Sequence, residues 1–138
     1  MRERTRGLEA ALAGASAPSW QGRVRAGRGL APFAHVPEAA QALVGLLLDA
    51  EDTAVTRGTA EALVLEGTAA AVRLIALAAA EADDNQADWM RTGVHDALAE
   101  PDGAPDVPAI CGQLARAPEE AVRRGAAEVL AWTEGAWH

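Results

Sequence analysis

The segment AVTRGTAEAL at residues 54–63 returns 67 positions later as AVRRGAAEVL at 121–130. A chain that restates a helical phrase at this distance is solving one packing problem more than once. Four segments align on a closing leucine, Leu30, Leu63, Leu98 and Leu130, at spacings of 33, 35 and 32 residues. Eight residues before three of these leucines stand Val55, Met90 and Val122, with Gly22 in the weakest copy. An acid lies two before the leucine in the same three copies: Glu61, Asp96 and Glu128. Self-similarity at such a period marks architectures built from stacked supersecondary units.

A second helical pattern precedes each of the last three phrases. PEAAQALVGLLLD at 37–49 opens with Pro and Glu, which suit a first helical turn, and its apolar residues fall at helical spacing. TAAAVRLIALAAAEA at 68–82 is apolar nearly all round, as expected of a helix covered on two sides. DVPAICGQLARA at 106–117 is the third, and Pro37, Gly67 and the run PDGAPD at 101–106 are the breakers between units. Alanine fills 35 positions, there is one Phe and no Tyr, so helix formers dominate and strand formers are scarce. The predicted unit is a helix, a tight turn and a second helix. Leu63, Leu98 and Leu130 are expected at equivalent buried positions on successive second helices.

The phrase LARAPEEAVRRGAAEVL at 114–130 resembles the HEAT repeat, whose second helix carries a V-R-x-x-A-A-x-A-L pattern after a short turn. Val122, Arg123, Ala126, Ala127, Val129 and Leu130 fill it, with Val in one Ala slot. Met90, Arg91, Ala97 and Leu98 fill part of a second copy, while Thr56 stands where the family has Arg. The resemblance implies an all-α, right-handed α-solenoid of about three and a half helix pairs, on the armadillo-type plan of stacked repeats. Residues 1–17 form a cap helix and 18–36 a degenerate first repeat. Residues 37–67, 68–100 and 106–134 are helix pairs of a single domain. Such a fold carries little information about function.

Charge narrows the partners. All 12 basic residues are Arg, and six of them lie in the first 28 residues against Glu3 and Glu9. The first 28 residues therefore carry +4 and the remainder −12, which sum to the net −8. An acidic body repels phosphate backbones and anionic lipid and favours a basic protein partner. Cys111 is the only cysteine, which excludes an internal disulfide and fits a reducing cytoplasm. The opening MRERTRGLEAALAGASA imitates a signal peptide, but Glu9 interrupts an apolar run already too short for one. A cytoplasmic protein with no membrane contact is expected. The Ala-rich, Lys-free composition points to a high-GC bacterium.

Chemistry-bearing residues are sparse. His35, His95 and His138 share no neighbourhood, and none has a second ligand at i+3 or i+4. His95 precedes Asp96, but adjacent helical residues point about 100° apart and make no dyad. A packed, satisfied histidine is the blander reading. Cys111, between Ile110 and Gly112, reads as an inert core thiol. AGRGL and PDGAPD match no phosphate loop. No catalytic, cofactor or metal residues are assigned, and a non-enzymatic role is expected.

The candidate partner-binding set is Arg57, Glu61, Trp89, Asp96, Arg124 and Glu128. On a HEAT-like stack the second helices line the concave face, so Glu61, Asp96 and Glu128 would form a carboxylate row there. The competing reading is i,i+4 pairing of Arg57 with Glu61 and of Arg124 with Glu128, at about 0.2–0.5 kcal/mol each. A second acidic pattern, Asp49 to Asp52, Glu81 to Asp88 and Glu119 with Glu120, would form a ridge along the turns. Carboxylates there also serve as helix caps. Trp20 and Trp89 are read as opening two second helices, while Trp132 and Trp137 are read as covering the last one or meeting a homodimer partner. The expected function is a protein–protein interaction module, a scaffold, adaptor or inhibitor/immunity-type binder of a basic protein. The alternatives are a nucleic-acid-binding or DNA-glycosylase-like HEAT protein, which needs a basic concave face, and a bilin lyase-like HEAT protein.

Overall fold

A computed structural model of the chain describes residues 2–100 and 105–135, with side chains over 6–100 and 105–134. Trp137, His138 and most of the PDGAPD run therefore lie outside the described residues. Among the described residues eight α-helices follow one another: α1 (Arg2–Gly14), α2 (Trp20–Leu30), α3 (Pro37–Leu47), α4 (Thr53–Glu66), α5 (Ala69–Glu81), α6 (Asp84–Leu98), α7 (Val107–Leu114) and α8 (Glu120–Gly135). A single 3₁₀ turn, Ala31–Phe33, extends α2, and no strand occurs among the described residues. None of these helices is long and apolar enough to cross a membrane.

The helix starts are chemically specified. Ser19 accepts from the Gly22 amide, Thr68 from Ala71 and Asp106 from Ala109, each relieving one of the orphan N–H groups of a first turn. Asp83 and Gln86 form a reciprocal capping box at α6. Pro37 occupies the first turn of α3, and Gly67 ends α4 at φ 72°, the left-handed conformation that glycine adopts without cost from a Cβ.

Packing runs in two files. In one, α1 touches α3, α3 touches α5 and α5 touches α7; in the other, α2, α4 and α6 succeed one another and α6 touches α8. The most extensive contacts are α4 with α6 and α5 with α8. Glycine makes both possible. A Cβ on Gly93 of α6 would collide with the Arg57 carbonyl of α4, and one on Gly125 of α8 with the Ala76 carbonyl of α5. Gly125→Ala is therefore expected to destabilise the fold by about 1–3 kcal/mol despite alanine's better helix propensity. At Gly112, where a Cβ meets nothing within 4 Å, the same change should stabilise by about 0.5–1 kcal/mol. Urea unfolding of the two variants tests the pair.

The repeat phase is visible in burial, with one correction. Val55, Met90 and Val122 are all fully buried, as their shared register requires. The closing leucines are not equivalent: Leu63 is fully buried, whereas Leu98 and Leu130 are half-buried at the core's edge. On α6 the buried face is Met90, Gly93, Val94 and Ala97. On α4 it is wider, taking in Val55, Thr56, Thr59, Ala60, Leu63 and Val64. Helix α4 lies between α2 and α6 and also contacts α3 and α5, so more of its circumference is covered. Trp89 also differs from expectation. Because α6 begins at Asp84, Trp89 sits half-buried in the second turn rather than opening the helix.

Candidate interaction groove on α2, α4 and α6

The α4–α6 contact brings Arg57, Glu61 and Asp96 onto one wall. Arg57 donates from Nε to Asp96 Oδ2 at 2.6 Å and from Nη2 to Asp96 Oδ1 at 3.1 Å, a two-pronged pair across helices. The hydrogen bonds that Arg57 donates to Asp96, the charge of Asp96 and the weaker field of Glu61 all raise the Arg57 pKa above its ordinary value. The i,i+4 pairing expected of Arg57 and Glu61 is thus replaced by a bond to the neighbouring helix. No ion pair joins Arg124 to Glu128 among the described residues either.

The same wall lines a cavity of about 280 Å³ that reaches across to α2. Trp20, Val24 and Arg28 form its α2 side, and Ala54 and Gly58 of α4 lie between. Trp20 is 43% exposed, one of two large apolar side chains in the open among the described residues. These α2 residues were missing from the predicted binding set. Their spacing, i, i+4 and i+8 on a single helical face, was the available signal. Trp89 is two turns up α6 from Asp96, and Arg124 and Glu128 stand on α8, whose broad contact is with α5 rather than α6. The predicted six residues are therefore one cluster of three and three outliers.

The turn acids are largely engaged. Asp49 accepts from Arg23 and from the Glu51 and Asp52 amides, Asp52 caps α4, and Asp83 caps α6. Glu119 pairs with Arg73, and Asp88 with Arg91. Sequence reasoning missed the role of Arg23. This buried guanidinium donates from Nη1 to the carbonyls of Ala17 at 2.9 Å and Pro18 at 3.2 Å, and from Nε to Asp49 at 3.1 Å. Arg123 repeats the first half of that arrangement, with Nη1 at 2.7 Å from the carbonyls of both Ala117 and Pro118. The Ala-Pro pair five residues ahead of an Arg was the signal for both.

His95 and Cys111 take positions apart from the groove. The His95 ring donates from Nε2 to the Trp132 carbonyl at 2.9 Å, tying α6 to α8, and Trp132 is itself buried. Asp96 is bound to Arg57 instead, so the adjacent His and Asp share no hydrogen bond. Cys111 is 1% exposed, and burial pushes its thiol up to about 11, which keeps it protonated and poorly nucleophilic near neutrality.

Comparison of the chain with protein-family models, with curated proteins and with solved structures finds no match.

Proposed function

We propose that the chain is a HEAT-like α-solenoid of about three and a half right-handed helix pairs, acting as a non-catalytic protein-interaction module. Three features support the repeat: two files of successive helices, the in-register burial of Val55, Met90 and Val122, and the Ala-Pro/Arg clamp at both ends of the chain. The observation that carries the interaction role is the groove spanning α2, α4 and α6, open to solvent and walled by charge. On this reading the groove belongs to the concave side. Arg57 and Asp96 hold each other there and Glu61 lines the same cavity, while Glu128 stands apart on α8; neither Glu61 nor Glu128 is in an ion pair among the described residues. Those two carboxylates steer a basic protein partner toward the face.

The double variant Glu61→Gln/Glu128→Gln tests this. Its Tm should stay close to that of the parent, because both carboxylates are only half-buried and unpaired among the described residues, and surface charges of this kind contribute about 0–1 kcal/mol. Capture of basic proteins from a native lysate by the immobilised chain should fall, and its sensitivity to salt should flatten. Lost stability with capture intact would overturn the reading and make the carboxylates scaffold.

A further inference from the structure

The groove has two electrically different ends, and the recruitment of a basic protein concerns only one. At the α2 end a second cavity of about 240 Å³ shares Trp20, Val24 and Arg28 with the first and adds Arg25. Arg25 and Arg28 are exposed, and no carboxylate of the described residues lies within ion-pair distance of either. In a chain of net charge −8, this is a pair of uncommitted cations beside an open tryptophan.

We propose that the α2 end of the groove docks a short acidic segment of a partner protein, anchored by an apolar side chain. The apolar anchor lies against Trp20 and Val24, a surface that gains most from being covered, since exposed Trp is a frequent interaction hot spot. Carboxylates flanking the anchor face Arg25 and Arg28, whose planar guanidinium groups suit two-oxygen acceptors. The far wall sets the length. Glu61 stands there, and Arg57 is already held by Asp96, so a long acidic tract running across to α4 meets repulsion. A single strand of nucleic acid could also use an aromatic beside arginines, but its unbroken line of phosphates would run into Glu61 and the acidic body. A segment with localised acids fits the charge pattern better.

This inference is independent of the basic-partner reading, because it rests on Arg25, Arg28 and Trp20 rather than on Glu61 and Glu128. The probe is a fluorescein-labelled peptide in which Glu and Asp flank a Leu–Phe pair, titrated with the full chain and followed by anisotropy. Saturable binding is expected. Arg25→Gln/Arg28→Gln should weaken it about tenfold, the loss expected of two exposed charge pairs, and Trp20→Ala by at least as much. Glu61→Gln should leave it equal or tighter. Unchanged circular dichroism and Tm in each variant separate lost contact from lost fold. The proposal is overturned if the peptide does not bind, if the Arg variants bind as well as the parent, or if a peptide lacking Leu and Phe binds equally. Tighter binding of a single-stranded oligonucleotide would overturn it in favour of nucleic acid. Self-association in sedimentation, abolished by the same Arg substitutions, would overturn it in favour of a second copy of the chain.

Discussion

Arg23→Ala is expected to lower the free energy of unfolding by about 3 kcal/mol, and Arg123→Ala by only about 1 kcal/mol. The two arginines make the same pair of bonds to an Ala-Pro turn, so the comparison isolates what differs. Arg23 is 8% exposed and also binds Asp49, whereas Arg123 is exposed and has no carboxylate in ion-pair distance among the described residues. Removing Arg23 leaves the Asp49 carboxylate, itself only 11% exposed, without its counter-charge. Breaking one side of such a buried pair costs about 3–5 kcal/mol. The low end is expected here because Asp49 keeps the Glu51 and Asp52 amides as donors. Arg23→Lys should recover little, since an ammonium cannot span two carbonyls and a carboxylate as the guanidinium fork does. Chemical denaturation of the three variants supplies the measurement. Equal losses at positions 23 and 123 would show that neither Asp49 nor Glu51, whose carboxylate lies 3.6 Å from Arg23 Nη2, adds to the clamp.

Leu63→Ala should cost about 2–5 kcal/mol, because the side chain is fully buried on a helix packed against α2, α3, α5 and α6, and its removal leaves a cavity. At Leu98 and Leu130, which occupy the same slot in the repeat but are half-buried, the same truncation should cost about 1–2 kcal/mol, in proportion to the apolar area already exposed. The measurement is a set of urea midpoints at constant m-value. Identical losses at the three leucines would restore the equivalence that the repeat implied and contradict the difference in burial.

Several helix boundaries were legible in the chain because they depend on neighbours in sequence. Pro37 at the start of α3 and the Gly67 that ends α4 act within a turn of where they stand. The start of α6 was misread although its signal is equally local: the Asp83–Gln86 capping box begins the helix at Asp84 and puts Trp89 in its second turn rather than at its start. Of the candidate site, Arg57, Glu61 and Asp96 were identified, but their relation was not. The i,i+4 partner of Arg57 was Glu61, whereas the approach of α4 to α6 offers Asp96, 39 positions away, at hydrogen-bond distance from both prongs of the guanidinium.

What the amino-acid sequence determined by itself was therefore local and periodic: an all-helical chain, the phase of the buried stripe, the caps, and the placing of positive charge at one end and negative charge over the rest. These follow from backbone geometry and the spacing of side chains along a single helix. The tertiary structure alone decided how wide each buried stripe became, which arginines were consumed as clamps, and which residues met across a groove. Those outcomes depend on which helices lie on either side. Gly93 lets α4 and α6 close on each other, and Gly125 does the same for α5 and α8, so the packing of helix on helix turned four near-copies of one phrase into unequal parts.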